Sequence, residues 1–170
     1  DPEARRLRDE LARPVLTYGF AADADIRAEA MEPAGRRTRF RIHEGDGASF
    51  GVEVNLPGRH NVLNATAAVA VARELGVGVA AIQRALADFQ GIGRRFQAYP
   101  DIPLADGGAA TLVDDYAHHP RELEATLQAA REAWPGRRQV VVFQPHRYSR
   151  TRELLDDFAR VLSGTDTLVL

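Results

Sequence analysis

The sequence contains no cysteine and no lysine, and each absence excludes a class of protein. Without cysteine the chain can form no disulfide framework, which is compatible with a reducing compartment. Without lysine it cannot contain a phosphate-binding loop of the G-x-x-x-x-G-K-[ST] type, because the lysine of that loop reaches the terminal phosphates. All 22 positions that carry lysine or arginine are arginine.

Long apolar runs and an excess of positive charge are absent as well. No apolar stretch approaches the roughly 18 residues of a membrane-spanning helix, and the amino-terminal DPEARRLRDE is no secretion signal. The net charge of -2 excludes a strongly basic nucleic-acid-binding protein. With 170 residues, 45% of them hydrophobic, the chain can build one sizeable core or two small ones. We therefore expect a cytoplasmic protein with no nucleic-acid partner and no insertion into a membrane.

The first third of the sequence passes from a helical to an extended pattern. Residues 1–13 predict a charged helix that has Pro2 in its first turn and stops at Pro14. Residues 15–56 are short segments of alternating apolar residues separated by turn residues, such as GDG at 45–47. This alternation predicts antiparallel strands joined by hairpins.

Two helices and a junction follow. Residues 61–75 are alanine-rich and predict a buried helix that ends at Gly76. Residues 79–89 have the apolar spacing of a second helix. The glycines and polar residues of GIGRRFQ then place a domain boundary near residue 93.

The remaining residues alternate between strand and helix. This alternation predicts a doubly wound α/β sheet. Its predicted elements are a strand at 111–116, a helix from 120, the apolar run QVVVF at 139–143, a helix at 151–162 and a last strand. Ligands of such sheets bind beyond the carboxyl ends of the strands. If the first two strands are neighbours, the clusters DDYAHHP and QPHRYSRTR that follow them face the same edge.

The DDYAHHP cluster has a structural and a functional interpretation. Asp114 or Asp115 could cap the following helix, or could accept hydrogen bonds from a ribose or ligate a metal. His118 and His119 could be solvated side chains of the first helical turn. A metal site that includes both is a weak interpretation, because adjacent histidines seldom ligate one metal.

Arginines concentrate where an anion would be bound. Arg147, Arg150 and Arg152 lie at the start of a predicted helix, where cations oppose the helix dipole. Their presence indicates an anion held between them and the helix. In the junction, Arg95 is well placed to reach phosphates between two domains, whereas the role of Arg94 stays open.

Two asparagines open the alanine-rich helix. Asn61 is interpreted as its N-cap, which needs no ligand. Asn64 lies in the predicted first turn, where asparagine is a poor helix former, and its amide could match the donor and acceptor edge of a purine. Alone, this signal is unspecific.

Four motifs in this order, LPGRHNVLNA, GIGRRFQ, VDDYAHHP and FQPHRYSRTR, resemble the Mur ligase family of peptidoglycan synthesis. The match covers roughly residues 50–170, and the strands at 15–56 carry no motif. The resemblance implies part of a central ATPase-type domain, with antiparallel strands and two helices, over residues 1–93. It implies part of a Rossmann-like, doubly wound α/β domain over residues 94–170.

The resemblance also implies an ATP-dependent amide ligation in cell-wall biogenesis, and with it a role in cell shape and division. ATP converts the carboxylate of UDP-N-acetylmuramate to an acyl phosphate that the amino group of L-alanine attacks, while Mg²⁺ screens the phosphates. Carried over by motif, the catalytic residues are Arg95 and His118. The nucleotide-binding residues are Asn61, Asn64, Arg95, Asp115 and Tyr116. The residues that bind the carboxylate of alanine are His146, Arg147 and Arg150, and none is assigned to a metal.

Other interpretations remain open. Ala117 is typical of relatives that recycle muramoyl peptides, although FQPHRYSRTR favours the alanine-adding form. The residues alone also allow a metal-dependent phosphoesterase that uses Asp114, Asp115, His118 and His119, or a non-catalytic interaction module. The family's P-loop, its UDP-binding domain and the end of its C-terminal domain are missing from this sequence. We therefore expect an internal fragment with no ligase activity alone.

Overall fold

The computed structural model describes residues 2–170, without the side chains of Pro2, Ala4, Arg5 and Asp9. The predicted first helix is α1, Pro2–Glu10, and the first residue of the prediction lies outside the described residues. No helix within residues 2–170 is long and apolar enough to cross a membrane.

A four-stranded sheet follows α1. Its strands are β1 (Tyr18–Gly19), β2 (Ile26–Ala34), β3 (Arg37–Glu44) and β4 (Ser49–Val54), in the order β1-β2-β3-β4. The strands β2, β3 and β4 pair antiparallel, as predicted, with Ala28 opposite Ile42 and Ile42 opposite Phe50. This register places alternate side chains of the three strands on one face of the sheet.

The prediction of antiparallel pairing is wrong for β1, which runs parallel to β2. The carboxylate of Asp25 accepts hydrogen bonds from the backbone N–H of Thr17 at 2.7 Å and from its hydroxyl at 2.5 Å. These bonds close the intervening loop, so that β1 begins beside the start of β2 and runs in the same direction. Sequence alternation does not reveal this side-chain constraint.

The inner face of the sheet packs against α2 (Arg59–Glu74) and α3 (Val79–Asp88). The buried apolar residues of this core are Ile26, Ala28, Phe40, Ile42, Phe50, Val52, Val54, Val62, Ala65, Val69, Ala70 and Ile82. The buried hydroxyl of Thr66 donates to the carbonyl oxygen of Val62 at 2.7 Å, and that of Thr38 donates to Leu56 at 3.0 Å. Both polar groups are therefore satisfied inside the core.

An ion pair joins the end of α2 to the sheet. Glu44, whose side chain is 7% exposed, accepts hydrogen bonds from Nε of Arg73 at 2.5 Å and from Nη2 at 2.9 Å. Two parallel charge-assisted bonds of this kind restrict the geometry more than a single contact does. They fix the carboxyl-terminal end of α2, and thereby the direction in which its other end projects.

The second half of the chain contains two separate pairs of strands. The hairpin of β5 (Gln97–Pro103) and β6 (Ala109–Asp114) is antiparallel, and β7 (Val140–Val142) pairs in parallel with β8 (Thr167–Val169). The helices are α4 (Pro120–Ala133), α5 (Tyr148–Glu153) and α6 (Leu155–Leu162). A second cluster of buried side chains comprises Leu123, Leu127, Phe143, Phe158, Val161 and Leu162. The predicted mixed α/β class is confirmed.

Two details of the second half differ from what the sequence pattern allowed or predicted. The strand β6 pairs with β5 and not with β7, so the strands that precede the two charged clusters are not hydrogen-bonded neighbours. A local turn, in which the N–H of Leu104 donates to Gly108 at 2.8 Å, is enough for a hairpin, whereas parallel pairing needs a long crossover. The helix predicted at 151–162 is divided at Leu154, whose φ of -116° lies outside the helical range.

We expect Ile42→Ala to lower the free energy of unfolding by about 2–5 kcal/mol, because a fully buried side chain would be replaced by a cavity. Ile42 has no exposed surface. Urea denaturation of the chain measures the change. Val71→Ala is a matched control on a side chain that is 61% exposed and should shift the value by less than about 0.5 kcal/mol. Equal losses in the two variants would contradict the described core.

Candidate functional site

A cleft of about 760 Å³ lies between α2 and α3 on one side and α4 with the loop before β5 on the other. Its polar lining comprises His60, Asn61, Asn64, Arg95, Asp115, Arg121, Glu122 and Thr126. Apolar side chains complete it, among them Leu56, Leu86, Phe89 and Ile92. A volume of this size with a few converging polar groups is typical of a small-molecule pocket.

The two sides of the cleft touch at Gly58. This residue precedes α2 with φ 93° and ψ 144°, and a Cβ atom there would lie 2.7 Å from Cβ of the fully buried Ala129 on α4. The same Cβ would lie 2.9 Å from Cε1 of His60. Glycine is therefore required both by the backbone conformation and by the close approach of the two helices.

The two asparagines lie on the α2 side of the cleft. Asn61 is not the N-cap, since α2 begins at Arg59 after Gly58. Its side-chain amide donates instead to the carbonyl oxygen of Pro57 at 2.8 Å. Asn64 follows three residues later, so both side chains share one helical face toward the cleft. Asparagine is among the most favoured N-cap residues, whereas Gly58 caps α2 without a side-chain hydrogen bond, so the sequence pattern places the start of the helix too late.

The loop that carries Arg95 is held in an uncommon conformation. Its neighbours Arg94 and Phe96 have φ values of 59° and 50°, in the left-handed region that side chains other than glycine seldom adopt. Asp115 accepts a hydrogen bond from the N–H of Phe96 at 2.8 Å, while the N–H of Tyr116 donates to the carbonyl oxygen of Arg94 at 2.8 Å. The DDY segment thereby fixes the backbone on both sides of Arg95.

Both carboxylate oxygens of Asp115 are engaged. Oδ2 binds Phe96 as described, and Oδ1 accepts the N–H of Ala117 at 2.8 Å. The buried ring of Phe96 also stacks on Trp134, with centroids 6.0 Å apart and planes 9° apart. Asp115 therefore lines the cleft and at the same time joins the Arg95 loop to the start of the α4 segment.

The two adjacent arginines have different surroundings. Arg95 lines the cleft, and its guanidinium lies 5.8 Å from the ring centroid of Tyr116. Arg94 lies closer to that ring, at 4.8 Å, and its Nε is 3.9 Å from a carboxylate oxygen of Asp114. The cation–π contacts place Tyr116 between the arginines and the histidine segment.

The start of α4 is a capping box that the sequence analysis missed. His119 is the N-cap and accepts the N–H of Arg121 at 3.3 Å, and Pro120 occupies the first helical position. Glu122 reaches back so that its Oε2 accepts the N–H of His118 at 2.9 Å and of His119 at 3.0 Å. The sequence signal for this capping box is a glutamate three residues after the N-cap. It was missed because histidine replaces the usual serine or threonine at the N-cap. The interpretation of His119 as a merely solvated side chain is thus wrong.

Glu122 is an ionised group at the cleft. Burial alone would raise the pKa of its carboxyl group, but the two backbone N–H groups, the His118 ring when it is protonated, and the charge of Arg95 lower that pKa below its usual range. His118 itself does not line the cleft. Its Nδ1 lies 2.9 Å from the carbonyl oxygen of Tyr116, and its ring meets the Tyr116 ring edge-on at 5.2 Å.

The residues of FQPHRYSRTR lie apart from this cleft, since none of them lines it. Arg147 precedes α5 with φ 69°, and Arg150 in α5 donates to the carbonyl oxygen of His146 at 3.5 Å. Tyr148 beside them is 97% exposed. The described residues therefore do not bring His146, Arg147 and Arg150 to the same cavity as Asn61, Arg95 and Asp115.

The part of the chain that the structure describes contains no group of three or more histidine, aspartate or glutamate residues that could hold a metal ion. Three of the four residues of the phosphoesterase interpretation are instead engaged in backbone and capping contacts, and the carboxylate of the fourth, Asp114, lies 3.9 Å from Arg94. Asp115 and His119 accept backbone N–H groups, and His118 contacts a carbonyl oxygen. This arrangement serves the local fold and does not favour metal-dependent hydrolysis.

Two family models match this chain. Residues 1–72 match the Mur ligase middle domain, and residues 94–170 match the Mur ligase glutamate ligase domain. The chain belongs to the Mur ligase family. The resemblance carried by its four motifs is confirmed.

The chain is similar to curated UDP-N-acetylmuramate–L-alanine ligases. It is 81% identical over its whole length to that of Halorhodospira halophila and 54% identical to that of Burkholderia multivorans. It spans only 35% and 37% of these relatives. Among solved structures, it resembles the UDP-N-acetylmuramate-alanine ligase of Thermotoga maritima with a TM-score of 0.75 and 29% identity, over 90% of this chain and 33% of that one. The fold of this Mur ligase chain is thus that of the family.

We expect Asp115→Asn to lower the free energy of unfolding by about 1–3 kcal/mol, because an amide can accept only one of the two backbone N–H groups and leaves the other unpaired. Urea denaturation measures the loss, and amide hydrogen exchange should be faster at Phe96 or Ala117. Asp114→Asn is the matched control, since the carboxylate of Asp114 lies 3.9 Å from Arg94. The account fails if the control is destabilised as much as Asp115→Asn.

We expect His60 to make stability fall as the pH decreases. Burial lowers the pKa of His60, against the opposing effect of the carboxylates of Asp115 and Glu132. The unfolded chain therefore takes up the proton more readily, and stability is lost below the ordinary histidine pKa of about 6.5. Melting temperatures between about pH 8 and pH 5.5 should fall less steeply for His60→Gln. Identical slopes in the two proteins would refute this role.

Proposed function

We propose that this chain is part of an ATP-dependent ligase that joins L-alanine to UDP-N-acetylmuramate in peptidoglycan synthesis. The observation that carries the proposal is the cleft in which Asn61, Asn64, Arg95 and Asp115, from three separate motifs, come together. The identity of 81% to a curated ligase of that name supports it. Residues 1–93 would contribute to the central domain and residues 94–170 to the C-terminal domain of a cytoplasmic enzyme.

Each side of the cleft binds a different part of the nucleotide. Asn61 and Asn64 on α2 bind adenine, because their amides offer both a donor and an acceptor. Arg95 binds the phosphates, since a guanidinium can make two parallel bonds to phosphate oxygens. Asp115, which lines the cleft, and the adjacent Tyr116, which does not, are assigned to the ribose side by their motif. The open volume of about 760 Å³ is large enough for a nucleotide.

The reaction depends on positioning and on charge. ATP phosphorylates the muramoyl carboxylate, and the amino group of alanine then displaces phosphate from the acyl phosphate. Their motifs assign His146, Arg147 and Arg150 to the carboxylate of alanine and His118 to the reacting groups, although none of the four lines the cleft. Fixed cations of this kind stabilise developing negative charge without reorganisation during the reaction.

Mg²⁺ is assigned to no residue of this chain. Magnesium prefers oxygen ligands and usually keeps several waters beside one or two carboxylates and the phosphates of its substrate. The described residues offer no cluster of acidic side chains for it. The missing P-loop lysine likewise means that phosphate binding is incomplete here, so the isolated chain should show no turnover.

In the full-length parent protein we expect Arg95→Ala to raise KM for ATP by roughly 10- to 100-fold, because a hydrogen bond to a charged group contributes about 1.5–3 kcal/mol. ATP-dependent phosphate release with UDP-N-acetylmuramate and L-alanine measures it. Arg94→Ala is the matched control, because the adjacent guanidinium does not line the cleft. An unchanged KM in Arg95→Ala would remove the phosphate-binding role.

The choice of amine separates the competing functions. The wild-type parent should form an amide with L-alanine and not with a longer peptide. Ligation of the peptide instead would identify the recycling ligase suggested by Ala117, and no ligation of either would leave the non-catalytic module.

A further inference from the structure

The carboxylate of Glu122 contacts the segment that carries His118 in two ways. Its Oε2 accepts the backbone N–H of His118 at 2.9 Å and that of His119 at 3.0 Å. The same oxygen lies 3.7 Å from Nδ1 of the His118 ring. A helix cap requires the first pair of bonds but not the approach to the ring, so the position of Glu122 has a consequence beyond the stability of α4.

The surroundings of Nδ1 determine which ring nitrogen of His118 carries the proton. Nδ1 lies 2.9 Å from the carbonyl oxygen of Tyr116, which can only accept a hydrogen bond. With this acceptor on one side and the carboxylate of Glu122 on the other, the hydrogen resides on Nδ1. Nε2 has no hydrogen bond to a described residue, and its lone pair is available to accept a proton.

The charged groups near the contact between Tyr116 and His118 come from two segments, α4 and the loop before β5. Glu122 on α4 brings a negative charge to 3.7 Å from Nδ1 of His118. Arg95 and Arg94 bring positive charge to the ring of Tyr116, at 5.8 Å and 4.8 Å from its centroid, and that ring contacts His118. Removing the charge of Glu122 while keeping its hydrogen-bond acceptor would leave the opposing arginines in place.

We propose that Glu122 is a positioning residue, which fixes the backbone, the tautomer and the charge environment of His118 so that Nε2 accepts a proton from the attacking amine. This inference rests on the proposed function, because it requires the amino group of alanine to attack an acyl phosphate. It concerns the second step of that reaction and leaves the phosphorylation of the carboxylate unaffected.

The proton balance explains why a base is required. The amino group carries an extra proton near pH 7 and has no lone pair for attack until it loses that proton. Nε2 takes this proton; the nitrogen lone pair then forms the C–N bond. The bond between the carbonyl carbon and the phosphate oxygen breaks, and phosphate leaves with the electron pair. The second proton of the amine leaves with the phosphate.

The test compares two nucleophiles in the full-length parent protein. Hydroxylamine is largely unprotonated at neutral pH and traps the acyl phosphate without a base, whereas L-alanine needs one. We expect Glu122→Gln to form hydroxamate within about 2-fold of the wild-type rate but to form the alanine amide roughly 10- to 100-fold more slowly. The glutamine oxygen still accepts the two backbone N–H groups, so the helix cap is preserved.

Glu124→Gln is the matched control. Glu124 lies on the same helix, and its carboxylate binds Arg160 at 3.0 Å on the exposed surface. It should leave both rates unchanged. In a His118→Ala background, Glu122→Gln should have no further effect on the amide rate, because the positioned ring is gone.

Three outcomes would overturn the inference. Unchanged rates in Glu122→Gln would make Glu122 a helix cap only. An equal loss with hydroxylamine and with alanine would place its effect on the first step or on the fold. If the wild-type parent forms neither product, the proposed function fails and the inference fails with it, whereas the first two results leave the proposed function standing.

Discussion

The carboxylate of Asp115 is the interaction on which the candidate site depends. It holds the backbone of Phe96 with one oxygen and that of Ala117 with the other, and so connects two segments that are distant in sequence. Together with the hydrogen bond from Tyr116 to the carbonyl oxygen of Arg94, this connection holds Arg94 and Phe96 in a left-handed conformation on either side of Arg95. A side chain that the sequence motif suggests as a ligand is thus also the anchor of the local backbone.

The network continues from Asp115 along the chain. Tyr116 receives the guanidinium groups on its face and the ring of His118 at its edge, and Glu122 holds the backbone of the histidine segment from α4. Each group therefore restrains its neighbour, and the restraints end at a helix whose position is fixed by its own hydrophobic face. Such serial support is how a protein keeps a catalytic group oriented before substrate arrives.

Much of the fold could be predicted from the periodicity of hydrophobic residues. The predictions that were wrong have local physical causes. The helix α3 is predicted by its apolar spacing, and α2 by its alanine-rich composition and by the glycine that ends it. The strand β5 was missed because Pro100 and Pro103 interrupt its pattern, as edge strands permit. At the candidate site the motifs located Arg95 and Asp115 in one cleft, but the cap by His119 depends on side-chain geometry that sequence spacing does not encode. The separation of Arg147 and Arg150 from the cleft likewise depends on which strands pair. The residue pattern within one strand does not determine its partner.

The contact between Gly58 and Ala129 makes the width of the cleft a property of two residues that touch no ligand. The two helices can approach only because one partner has no side chain and the other has a single methyl group. Any added carbon atom at either position would act as a spacer and move the asparagine side of the cleft away from the arginine side. Such a change would widen the cleft while every side chain that lines it stayed the same. Gly58 and Ala129 therefore act through the distance between the two sides of the cleft and not through a contact inside it.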